Sequence, residues 1–184
     1  MIQNIRLQNF RSYKDESFEF EPGVNIVVGP NAAGKTNLLE AVYMLARGSS
    51  FRAKTVELPM HSRSWSRIDG NFNSSSRTVR LTSQDGFWDK TIEIDSKLFK
   101  RLSNQNQLAI TLFEPNHLQL FIRGPLARRD YFDGYLEQTV VGFKTKKNKY
   151  TRTLAQRNAL LKKTASQSEL FAWDIKLSEL AGAV

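Results

Sequence analysis

The chain has 184 residues, 40% hydrophobic and 24% charged, enough for one domain or one domain plus an appendage. Its longest apolar runs are a few residues, far from the roughly 20 that a membrane-spanning helix requires, and no cysteine is present, which excludes disulfides, thiolate zinc sites and cysteine nucleophiles. The formal charge of +9 favours a polyanionic partner through charge attraction and counterion release, with plain solubility as the alternative.

The N-terminus lacks an apolar stretch of the secretory kind, because Gln3, Asn4, Arg6 and Gln8 interrupt it, so a cytoplasmic protein is expected. His61 and His117 lie far apart in sequence, which speaks against a histidine metal site.

Residues 2–7 read as a first strand, half polar and near an edge. Phe18 and Phe20 flank Glu19, the alternation of a half-buried strand, and Pro22-Gly23 makes a turn. Residues 24–28 form a β-branched run, the signature of a strand buried on both faces. A glycine-containing loop follows, and then residues 37–46 read as a helix with Leu38, Leu39, Val42 and Leu45 facing inward. Residues 66–99 are short apolar runs around Ile68, Phe72, Val79, Leu81, Ile92 and Ile94, broken by turn residues, which predicts an antiparallel meander. Residues 108–113 read as one more strand, ending at Glu114-Pro115.

From Pro125 the chain turns helical, with an apolar stripe of Tyr131, Phe132, Tyr135 and Leu136. A second helix is predicted over 150–163. A third starts near Ser168, its cap, with Leu170, Trp173, Leu177 and Leu180 on one face. The order is an α/β start with an α+β continuation. Residues 1–140 are expected to form a nucleotide-binding lobe with the meander, and 141–184 the start of a helical lobe.

The loop after the β-branched run is Gly29, Pro30, Asn31, Ala32, Ala33, Gly34, Lys35 and Thr36, which meets the pattern G-x-x-x-x-G-K-[ST]. Glycines let successive backbone N–H groups turn into one concavity, and the following helix brings its positive end to the same point. Lys35 reaches the β- and γ-phosphates of a nucleoside triphosphate, and the Thr36 hydroxyl is placed to ligate Mg²⁺. Hydrolysis needs more: an acid for the metal and a polarised water. Residues 91–95 alternate and do not supply that acid. Leu112-Phe113-Glu114 is the nearest candidate, and it enters a proline turn.

Several segments together resemble one family. Asn9-Phe10-Arg11-Ser12-Tyr13 after the first strand is similar to the ABC-type heads of the SMC, Rad50 and RecF proteins. The loop with its Asn37-Leu38-Leu39-Glu40-Ala41 continuation looks like their Walker A region. Ser50-Phe51-Arg52, then Arg128-Arg129 with Phe132-Asp133, then Leu154-Ala155-Gln156-Arg157-Asn158 narrow the resemblance to RecF.

That resemblance implies a P-loop NTPase fold of the ABC-head type, N-terminal half, with an antiparallel meander and an incomplete helical second lobe. It implies an ATP-binding DNA repair and recombination factor that acts at junctions of single- and double-stranded DNA. Such a factor works with RecR and RecO to place the recombinase, and the full-length form dimerises around ATP. Only in that dimer is weak ATPase activity expected. RecF proteins are about twice this length, so the chain reads as an N-terminal fragment or a truncated gene product. Glu114-Pro115-Asn116-His117 stands where the family carries an acidic run, which puts metal or water positioning there in doubt.

The ATP site implied is residues Gly29 to Asn37 with Arg11, which either approaches the phosphates or is a surface arginine. Arg52 and Lys54 either face DNA or are solvated. Between Gln138 and Ser168 there is no Asp or Glu, while Lys144, Lys146, Lys147, Lys149, Arg152, Arg157, Lys162 and Lys163 are all positive. DNA contact through Lys144, Lys146, Lys147, Lys149, Arg152 and Arg157 is expected, with stacking from Phe143 and Tyr150; a solvated face is the alternative. Other P-loop proteins, an overcoming-lysogenization-type nuclease head or a small-molecule kinase, remain open. The absence of an arginine-rich lid argues against the kinase.

Overall fold

The computed structural model describes residues 1–114, 124–162 and 166–182. These residues divide into two units, 1–110 and 111–184, so the division falls earlier than the expected boundary at 140/141.

Alternating apolar residues build the first unit. Strands β1 (Ile2–Phe10), β2 (Tyr13–Glu19), β3 (Trp65–Phe72), β4 (Ser75–Gln84), β5 (Phe87–Ile94) and β6 (Lys97–Phe99) pair antiparallel throughout. They form one sheet of order β2-β1-β3-β4-β5-β6. Two-residue turns at Asp85-Gly86 and Asp95-Ser96 take positive φ at both positions, the geometry that matches the twist of a tight hairpin. The edge strand β2 carries Lys14, Asp15, Glu16 and Glu19, charges that discourage further pairing.

Helix α1 (Lys35–Arg47) lies on one face of this sheet. Its Leu38, Ala41, Met44 and Leu45 pack with Ile5, Leu7, Ile68, Val79, Leu81 and Ile92 from the strands, all but inaccessible to solvent. Each such burial of a large side chain contributes about 1.5–3 kcal/mol. The helix comes this close because position 70 is glycine: a Cβ there would stand 2.4 Å from Leu45 Cδ1. Leu39, expected inside, is 52% exposed. It lies beyond the edge of the face that Leu38, Ala41 and Leu45 define.

Two expected strands are not formed. Residues 24–28 join no ladder, and Val24, Ile26 and Val28 are 80% exposed or more. A β-branched run becomes a buried strand only where a sheet offers it neighbours. Both sides of β1 are already taken by β2 and β3, and no described strand lies beside residues 24–28. Residues 108–113 likewise join no strand; Leu108 N–H instead donates to the Ala46 carbonyl at 3.0 Å, just before the end of α1.

The second unit is helical: α2 (Pro125–Thr139), α3 (Phe143–Leu161) and α4 (Gln167–Ala181). Helix α3 starts earlier than expected, just after Gly142, whose φ of 83° sets the turn from α2. Ser168 lies inside the first turn of α4 rather than ahead of it. Leu170, Trp173, Leu177 and Leu180 share the half-buried side of α4, as their spacing predicts. Tyr131, Phe132 and Tyr135 of α2 are exposed. No helix among the described residues is long and apolar enough to cross a membrane.

Candidate nucleotide site and basic helix

The loop at residues 29–36 ends on the N-terminus of α1, where the first N–H groups of a helix have no intrahelical partner. No side chain caps them. Gly34 has φ +95° and Ala32 φ +66°, both in the left-handed region, so the loop turns sharply into the helix. Position 34 must be glycine for a second reason. A Cβ would stand 2.8 Å from Ser12 Oγ and 3.0 Å from the Tyr13 ring. The Tyr13 hydroxyl donates to the Gly34 carbonyl at 3.0 Å, so the turn between β1 and β2 fixes the loop from beneath. Lys35 Nζ folds back onto the Gly29 and Pro30 carbonyls at 2.8 and 2.7 Å. The uncapped amides, the left-handed backbone and a lysine folded over the same loop fit a triphosphate. Thr36 is exposed at the mouth, where its hydroxyl would reach Mg²⁺.

Arg11 is drawn elsewhere. Its guanidinium donates to both Glu40 oxygens at 2.9 Å and to the Glu57 carbonyl at 2.6 Å. Glu40 itself is fully buried and also accepts from Arg52 at 2.9 Å and from Ser50 Oγ at 2.6 Å. Burial alone would push the Glu40 carboxyl up. The hydrogen bonds from Arg11, Arg52 and Ser50 outweigh that and lower it to about 2. Arg52 bridges onward to Asn37 Oδ1 at 2.7 Å, and Asn37 Nδ2 donates to Ser12 Oγ at 3.0 Å. The network thus links Ser12, Asn37, Arg52, Glu40 and Arg11 at the first turns of α1. Arg11 and its neighbour Asn9 both have positive φ, near +50°, in a turn held by bonds from Arg11 N–H to the Leu58 carbonyl and from Met60 N–H to the Asn9 carbonyl.

Glu40 had no role assigned from sequence, although one signal pointed to it. It is the only acid between Glu21 and Glu57, among Lys35, Arg47, Arg52 and Lys54. A lone acid among cations on the face of an amphipathic helix is a candidate for a buried ion-pair hub. Glu114 is described, whereas the altered Pro115-Asn116-His117 segment lies outside the described residues.

The basic run divides on α3. Lys147 contacts Asp133 at 3.1 Å and Glu137 at 3.3 Å, and Lys144 approaches Glu137 at 3.7 Å, all across the turn from α2. Arg157 is paired with Asp174 of α4. Lys146, Lys149 and Arg152 are exposed. Phe143 is 5% exposed and Tyr150 is half-buried, so the expected stacking platform is packed inward instead.

A family model, AAA ATPase domain, matches residues 1–174. Proteins named DNA replication and repair protein RecF are similar along the chain. That of Heliobacterium modesticaldum is 34% identical over 187 residues, covering 98% of this chain and 50% of the relative. That of Acetivibrio thermocellus is 34% identical over 201 residues, covering 100% and 52%. Two solved structures, described as the recombination mediator protein RecF-ATP and RecF-ATPrS in the RecFOR pathway, superpose with TM-scores of 0.70 and 0.72. They are 28% and 29% identical, over 97% and 98% of this chain and 50% and 51% of theirs. The chain therefore spans about half the length of the relatives it matches. It has the P-loop NTPase fold of an ABC-type head, with the antiparallel meander expected from sequence. The protein belongs to the AAA ATPase domain family, and the relatives it resembles within it are RecF proteins.

Proposed function

We propose that this chain binds ATP through residues 29–37, as the nucleotide-gripping part of a RecF-type DNA repair and recombination factor. The observation that carries the reading is the loop itself: left-handed Gly34 and Ala32, uncapped amides at the start of α1, and Lys35 Nζ folded onto the loop carbonyls. In this reading Lys35 neutralises the β- and γ-phosphates and Thr36 holds Mg²⁺ that accompanies the nucleotide. Arg11 and Arg52 share one carboxylate, which leaves a net positive charge beside the loop. They support the triphosphate electrostatically, and Arg11 would need to release Glu40 to touch it. DNA junctions as substrate, RecR and RecO as partners, an ATP-bridged homodimer and a cytoplasmic location belong to the same proposal. They are supported by the resemblance to RecF. No observation favours a small-molecule kinase or a nuclease head.

Titration calorimetry with ATP and Mg²⁺ tests it. The chain is expected to bind ATP weakly and saturably, to release no phosphate, and to lose binding in Lys35→Ala while keeping its fold. Binding that survives Lys35→Ala overturns the reading, and Lys35-dependent turnover contradicts the expected lack of hydrolysis.

A further inference from the structure

The sequence between Gln138 and Ser168 has no acid, but its cations are not equivalent. Lys144, Lys147 and Arg157 face neighbouring helices and are neutralised there by Glu137, Asp133 and Asp174. The hydrogen bonds from Lys147 to Asp133 and Glu137 outweigh the cost of its partial burial and raise its pKa. Lys146, Lys149 and Arg152 have no ion-pair partner among the described residues.

All three are exposed: Arg152 lies opposite the packed face of Phe143, Lys147, Tyr150, Thr153, Leu154 and Arg157, Lys149 lies at its flank, and Lys146 stands one turn before Tyr150 at the N-terminal end of the helix. Thr145, Asn148, Thr151 and Ala155 join Lys149 and Arg152 in lining a depression of about 490 Å³. No carboxylate and no aromatic ring is among the exposed residues of α3; the remaining ones are Gln156, Asn158, Ala159 and Leu161.

We propose that Lys146, Lys149 and Arg152 grip the sugar–phosphate backbone of DNA, while Lys144, Lys147 and Arg157 hold the helices together and touch no nucleic acid. This rests on the RecF-type reading above and sharpens it. The three free cations climb about 9 Å along the helix axis. Spread over that rise, the three long side chains can each meet a separate phosphate. Thr145, Asn148 and Thr151 supply neutral hydrogen-bonding groups of the kind that accompany cations at phosphates and fix register without reading sequence. The lack of an exposed ring separates this surface from a stacking platform for splayed bases. Contact is therefore to the backbone and independent of base sequence.

The test compares two triple variants of the chain, Lys146→Ala/Lys149→Ala/Arg152→Ala and Lys144→Ala/Lys147→Ala/Arg157→Ala. Binding to a labelled gapped duplex is followed by fluorescence anisotropy over a salt series, with helix content checked by circular dichroism. Alanine is a good helix former, so the first variant keeps its helicity. Its slope of log affinity against log salt is expected to become shallower by about 3, since each lost phosphate contact removes about 0.9. The second variant is expected to keep the wild-type slope and to melt at a lower temperature. An unchanged slope in the first variant, or a loss confined to the second, overturns the proposal and leaves the RecF-type reading standing. A wild-type chain that binds no DNA at any salt overturns both. Tighter binding to phosphatidylserine vesicles than to the duplex, lost in the first variant, also overturns the proposal and assigns the stripe to a lipid surface.

Discussion

Replacing Glu40 with glutamine isolates the hub beneath the nucleotide loop. The carboxylate is fully buried and takes hydrogen bonds from Arg11, Arg52 and Ser50, so its loss leaves two guanidiniums facing a neutral amide. Its pKa lies at about 2 in the folded chain, against an ordinary value of 4.5. A depressed carboxylate stabilises the folded state at every pH above the ordinary value, and loses that contribution as pH falls through the folded one. The difference corresponds to about 3 kcal/mol at neutral pH and about half of that near pH 3. Breaking a buried pair by removing one partner costs about 3–5 kcal/mol, a range that agrees. Urea unfolding, followed by the fluorescence of Trp65 and Trp88 on β3 and β5, measures the loss at pH 7 and its decline towards pH 3. Glu40→Gln is expected to cost about 3 kcal/mol at pH 7 and to flatten the pH dependence between 4.5 and 2. A loss below about 1 kcal/mol at pH 7, the size of a surface pair, refutes the hub.

Two further outcomes follow from the packing. Gly34→Ala forces a Cβ to within 2.8 Å of Ser12 Oγ at a backbone φ of +95°, so it is expected to destabilise the chain by about 1–3 kcal/mol and to abolish ATP binding; wild-type melting and titration would contradict this. Ile26→Ser, at a side chain 80% exposed, is expected to change stability by less than about 0.5 kcal/mol, whereas Leu45→Ala in the core costs about 2–5 kcal/mol. Denaturant midpoints compare them, and a large loss at Ile26 would restore the buried strand that sequence suggested.

How much of this was legible depended on whether a signal was local. The helix after the loop was readable because Leu38, Val42 and Leu45 repeat at helical spacing, and its core face needs only those positions. The meander was readable because Asn73-Ser74 and Asp85-Gly86 punctuate alternating runs. Residues 24–28 misled because β-branching states a preference for burial and cannot supply the neighbours. Leu39 misled because spacing alone does not mark where an apolar face ends. Glu40 escaped notice because its partners are 10 to 29 residues away and meet it only after β1 and the segment around Arg52 fold over α1. The basic run was visible as a charge excess, but its division was not. Asp133, Glu137 and Asp174 neutralise three of its members from other helices.

The central claim is that the backbone of residues 29–37 cradles a triphosphate. Amide resonances of the ¹⁵N-labelled chain, followed by nuclear magnetic resonance during titration with ATP and Mg²⁺, test it most directly. The expected result is saturable shifts concentrated at Ala32, Ala33, Gly34, Lys35, Thr36 and Asn37, absent in Lys35→Ala. Saturable shifts elsewhere with these amides unmoved would contradict the account.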